Sequence, residues 1–61
     1  MQKGKERVYR KGDRVVAVVA GTWTTGTGTV KAGPGEKGLY AVVFDEHGLR
    51  DGCRVLGRAE P

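Results

Sequence analysis

Between Gly12 and Asp45 the chain alternates valine-rich runs with glycines, and that alternation leaves few folds open to it. The stretch reads Gly12-Asp13-Arg14-Val15, an apolar run to Ala20, Gly21-Thr22-Trp23, a Thr/Gly segment closing on Gly28-Thr29-Val30, and later Tyr40-Ala41-Val42-Val43-Phe44-Asp45. No window carries apolar residues at three- and four-residue spacing over helical length, and glycine is too frequent for a stable helix. β-Branched residues between turn-forming clusters specify short strands instead. The expected fold class is all-β.

With 61 residues the chain makes one domain. A chain of that size buries only about 60% of its unfolded surface, so its core is small and a deep cleft is hard to wall. The first strand is expected from Arg14 to Ala20. Val15, Ala17 and Val19 share one face and Val16, Val18 and Ala20 the other, so neither face is polar. Such a strand is covered on both sides, by the N-terminal segment or a second subunit, or has its faces exchanged by a bulge. The second strand, Gly26 to Ala32, puts Gly28, Val30 and Ala32 inward and Thr27, Thr29 and Lys31 outward. Small inward residues permit a tight curl.

Gly33 to Gly38 is a hairpin turn by composition. The third strand, Leu39 to Asp45, places Tyr40, Val42 and Phe44 on the core face. A turn at Asp45-Glu46-His47-Gly48 leads to a fourth strand, Leu49 to Leu56, with Cys53 and Val55 inward and Asp51-Gly52 marking a bulge or turn. Gly57 to Pro61 supplies a 3₁₀ turn or a last short strand. The expected barrel has five strands over residues 11–61, preceded by a basic, partly flexible N-terminal arm at residues 1–10.

Charge sharpens that division. The net charge is +4, and residues 1–14 alone carry six basic and two acidic side chains, whereas residues 15–61 carry five of each. A basic arm on a neutral body suits contact with phosphates; the plainer reading is a solvated tail that aids solubility. Arg14 and Lys31 are expected to point outward from neighbouring strands and, with Arg10 and Lys11, to form a basic stripe near Trp23. Basic side chains interleaved with an aromatic are the usual sign of a nucleic-acid surface. Trp23, the single tryptophan, lies among Thr22, Thr24 and Thr25. It either stands exposed, where an indole stacks on a base or fills a partner's pocket, or folds back as a lid on the barrel.

Little else carries chemistry. The chain has no serine, one histidine and one cysteine. His47 and Cys53 lack an orienting group by sequence, and Cys53 reads as a small buried hydrophobe. One His and one Cys do not make a zinc site. Asp45 and Glu46 are neighbours in a turn and do not form a facing acid/base pair. No catalytic residue, metal site or cofactor is expected. No apolar run is long enough for a signal peptide or membrane helix, and one cysteine forms no intrachain disulfide, so a cytoplasmic protein is expected.

The Gly12-Asp13-Arg14-Val15 opening and the Tyr40-to-Asp45 strand resemble the SH3-like small barrels. Within that group, Gly21, Trp23, Gly28 and Val30 fall at spacings that resemble a KOW motif, over Lys11 to Phe44. The resemblance implies a five-stranded SH3-like barrel and a place in transcription or translation, binding RNA or DNA. Thr25 stands where the motif usually has glycine, and Thr22, Thr24, Thr27 and Thr29 stand where lysine is common. The implied phosphate contact therefore falls on the arm, and the expected binding residues are Lys5, Arg7, Arg10, Lys11, Arg14, Trp23 and Lys31. The opening is also similar to that of a plasmid-borne class of dihydrofolate reductase. The pore motif of that class, Val-Gln-Ile-Tyr, has no counterpart at Cys53-Arg54-Val55-Leu56, and its activity is not carried over. The expected partner is nucleic acid; the alternative is a protein-interaction or self-assembly module that uses strand edges and Trp23.

Overall fold

The computed structural model describes residues 8–59, which form a closed, all-antiparallel barrel. Its strands are β1 (Arg14–Val19), β2 (Thr25–Ala32), β3 (Tyr40–Phe44) and β4 (Gly48–Arg58). Sheet order is β1-β2-β3-β4, with β4 pairing back onto β1. The architecture is compatible with an SH3-like small barrel.

Among the described residues there are four strands, not five. The expected fourth strand and the two residues after it, Gly57 and Arg58, belong to one element of 11 residues, β4. Its first half pairs with β3, from Phe44↔Gly48 to Tyr40↔Cys53. Its second half pairs with β1, from Val19↔Cys53 to Val15↔Arg58. The strand bends at Gly52, whose φ of 66° is easily reached only without a Cβ. One bent strand thus closes the ring that a separate fifth strand was expected to close. Closure also removes the free sheet edges on which strand addition depends, since every strand has two neighbours.

The core is Tyr9, Val15, Ala17, Val30, Tyr40, Val42, Phe44 and Cys53, with Val19 and Val55 packed against it. Tyr40, Val42 and Phe44 share the inward face of β3 as the alternation requires. Each fully buried Val or Phe contributes roughly 1.5–3 kcal/mol of burial free energy. Tyr9, which belongs to no strand, packs its ring edge-on to Tyr40 at 5.8 Å, and the Tyr9 amide donates to the Tyr40 hydroxyl at 3.1 Å. These two links fasten the segment before β1 to the barrel.

Gly28 is where β2 crosses closest to β3. A Cβ there would stand 2.5 Å from the Val43 carbonyl oxygen and 2.8 Å from the Phe44 Cα. Only glycine allows the two backbones to meet at that point.

The apolar outer face of β1 is not explained by an exchange of faces. Val15 and Ala17 are both fully buried, and Val16 and Val18 are half-buried on the outside. The irregularity lies across the ladder: Val16 pairs with Gly57 and Ala17 with Val55, so the extra residue is Leu56 of β4. A second irregularity makes Lys31 the extra residue of β2, between Val30↔Val42 and Ala32↔Ala41. Ala32, expected inside, is exposed as a result.

Candidate nucleic-acid interface

Trp23 is 96% exposed. Its presentation comes from the loop that carries it. The Val19 amide donates to the Thr24 carbonyl at 2.9 Å, and the Thr22 amide and hydroxyl both donate to the Val19 carbonyl at 3.0 Å. The Thr22 hydroxyl oxygen accepts from the Thr24 amide at 3.0 Å, and the Thr25 hydroxyl donates to the Trp23 carbonyl at 3.2 Å. The threonines spend their hydroxyls on the turn's own backbone, a common use of short polar side chains. The ring is thereby held off the barrel, and the reading of Trp23 as a lid does not hold.

The basic residues gather at the other end of the β1–β2 hairpin. The turn from Arg10 to Asp13 is closed by the Asp13 amide donating to the Arg10 carbonyl and by the Arg10 amide donating to Asp13 Oδ2, both at 2.9 Å. It is pinned to β2 by the Gly12 amide on the Val30 carbonyl and the Val30 amide on the Asp13 carbonyl. Arg10, Lys11 and Lys31 are exposed around this turn. Arg58 joins them: its guanidinium lies 5.6 Å over the Tyr9 ring and 3.9 Å from Asp13 Oδ2. Nothing in the sequence pattern singled out Arg58, because its position depends on where β4 closes onto β1. Lys5 and Arg7 lie outside the described residues.

The expected stripe beside Trp23 is therefore corrected. Arg14 opens β1, and Trp23 follows Val19 at its far end. The strand from Arg14 to Val19 alone spans about 17 Å.

Arg14 is also engaged. Its Nη1 and Nη2 donate to Asp45 Oδ1 and Oδ2 at 2.8 and 2.7 Å, and Nη1 reaches Thr29 Oγ1 at 3.1 Å. The hydrogen bonds from Arg14 hold the Asp45 carboxyl below its ordinary value of 3.8, while the pairing raises the Arg14 guanidinium further. Both side chains are half-exposed. The pair spans β2, since Arg14 belongs to β1 and Asp45 follows β3.

The outward row of β2 joins the two ends. Thr25, Thr27, Thr29 and Lys31 alternate along it with the inward Gly26, Gly28 and Val30. The row starts beside Trp23 and ends at the basic turn. A hollow of about 330 Å³ flanks its first half, lined by Thr25, Thr27, Asp45, Glu46 and His47. Among the described residues no three His, Cys, Asp or Glu side chains converge as a metal site would require. Cys53 is fully buried, its thiol donates to the Arg50 carbonyl at 3.3 Å, and burial pushes its pKa up. No described helix is long and apolar enough to cross a membrane.

Comparison with protein-family models, with curated proteins and with solved structures finds no match to this chain.

Proposed function

We propose that the barrel is a small, non-enzymatic nucleic-acid-binding module that lays a single strand along the outer face of β2. The observation that carries this reading is the 96% exposure of Trp23 on a self-braced turn. A large aromatic held out in water loses no rotamer freedom to packing and meets a base on an open face. Stacking of one base on such a ring is worth about 1–3 kcal/mol and tolerates any sequence. Thr27 and Thr29 offer hydroxyl donors along the track, and Arg10, Lys11, Lys31 and Arg58 supply phosphate attraction at its end. From Thr25 to Lys31 the extended strand covers about 20 Å, room for several nucleotides. Lys5 and Arg7, outside the described residues, belong to the same proposed binding set.

A duplex suits this surface less well. Its bases present no free face to Trp23. The spacing of Gly21, Trp23, Gly28 and Val30 supports a KOW-like assignment within the SH3-like barrels, and with it a role beside transcription or translation. A single buried Cys53, which forms no intrachain disulfide, accords with a cytoplasmic setting. The test is residue-resolved titration of the full chain with short single-stranded RNA and DNA at low and moderate salt. Resonance shifts at Trp23, Lys31, Arg10 and Lys11 that fade with salt are expected. Shifts confined to residues 1–7 would reduce the binding to a charged tail.

A further inference from the structure

A second surface lies beside β4, where Tyr9 and Tyr40 of the core meet the β2–β3 loop at Pro34 and Gly38. β2 and β4 do not pair; each stands between β1 and β3, so their outer faces point apart. Against β4 runs a groove of about 620 Å³, lined by Val8, Tyr9, Pro34, Tyr40, Arg54 and Leu56 among others. That volume falls within the range that takes a ligand of several side chains.

Three features of the groove point to its occupant. Its rims are apolar and wet: Val8 is 66% exposed and Leu56 58%. Leu56 is the extra residue of the β4 irregularity, so it stands out of the regular pleat. Its floor is aromatic and fixed, because Tyr9 and Tyr40 lock each other edge to face. The Tyr40 hydroxyl accepts from the Tyr9 amide, which leaves its own proton to donate. Its one charged lining residue is Arg54, and among the described residues no carboxylate lies within ion-pair distance of it.

We infer that this groove is a docking site for an extended peptide segment of a partner protein that presents apolar side chains next to a carboxylate. The apolar side chains sit between Val8 and Leu56 over the tyrosines, and the carboxylate meets Arg54. A nucleic acid does not match, since only one cation faces the groove and its rims are aliphatic. The barrel becomes a two-sided adaptor, with nucleic acid on β2 and a peptide on β4. The two surfaces adjoin at Tyr9, whose ring carries Arg58, but Arg54 and Leu56 line the groove alone and Trp23 and Lys31 the track alone, so either reading fails or holds without the other.

The test uses the isotope-labelled full chain and two blocked hexapeptides, Gly-Leu-Ala-Leu-Glu-Gly and its counterpart with Lys in place of Glu. With the Glu peptide, shifts are expected at Val8, Tyr9, Tyr40, Arg54 and Leu56, with affinity about tenfold above that of the Lys peptide. Arg54→Glu, an exposed change that leaves the core intact, is expected to reverse the preference, and Leu56→Ser to weaken both. No shift at these residues, equal affinity for the two peptides, or an unchanged preference in Arg54→Glu would overturn the inference. So would concentration-dependent shifts at the same residues without peptide, which would make a second copy the occupant.

Discussion

The Arg14 guanidinium closes on the Asp45 carboxylate through two parallel hydrogen bonds, 2.8 and 2.7 Å long, directly across the strand proposed to carry nucleic acid. The pairing fixes where a phosphate is not welcome. With Asp45 and Thr29 holding three of its five N–H donors, Arg14 offers a phosphate only a partly neutralised guanidinium, and Asp45 adds a charge of the wrong sign beside Thr29. Asp45→Asn removes that charge and frees the guanidinium. Tighter binding of a single-stranded oligonucleotide is expected, and the slope of log affinity against log salt should steepen by about 0.7, the value of one added phosphate contact. Fluorescence anisotropy across a salt series measures it; an unchanged slope would mean that Arg14 stays off the strand.

The same pair sets a pH response. Asp45 is held below 3.8 when folded. A depressed carboxyl contributes stability that is fully present above its unfolded pKa and lost as pH falls through the folded one. The contribution should therefore be constant at neutral pH and disappear only below about pH 3.8. Carboxyl ¹³C titration of the folded chain should place the Asp45 midpoint under 3.8. In Arg14→Gln it should return toward the ordinary range.

Gly28→Ala tests the crossing of β2 and β3. The added methyl would meet backbone at 2.5 and 2.8 Å, and backbone in the middle of a closed barrel has nowhere to retreat. A loss of about 1–3 kcal/mol or more is expected from overpacking. In a domain this small that is a large part of the total stability. Gly57→Ala, where nothing lies within 4 Å, is the matched control. Urea unfolding of both variants gives the comparison.

Cys53 should report on opening of the barrel. It is fully buried and burial raises its pKa, so neither access nor thiolate favours reaction. Alkylation in native buffer is expected to be far slower than for a free thiol and to accelerate as urea is added. Fast labelling of the native chain would contradict the packing described for β4.

Much of this was readable in the sequence, and the residues show why. Tyr40, Val42 and Phe44 declare the core because a period of two needs only local information. The number of strands was not local: a continuous β4 and a broken one have the same composition, and only closure onto β1 at Val15↔Arg58 distinguishes them. Arg14 was identified as outward, but its partner lies 31 positions away, beyond the reach of any spacing rule. Lys31 was expected in a basic stripe near Trp23, yet Trp23 precedes β2 and Lys31 lies near its far end. The groove beside Leu56 gave no signal, since an irregularity of one residue in a ladder leaves no mark on the chain.

The central claim is that Trp23 is a stacking platform, and Trp23 is the only tryptophan, so its emission reports on it directly. The deciding measurement is a fluorescence titration of the full chain with a single-stranded dodecamer at low salt, repeated by anisotropy with Trp23→Ala. The expected result is quenched emission on binding and a loss of about 1–3 kcal/mol in the variant, with unfolding stability unchanged within about 0.5 kcal/mol. Binding that leaves the emission unaltered, equal affinity in Trp23→Ala, or no binding at low salt would contradict it.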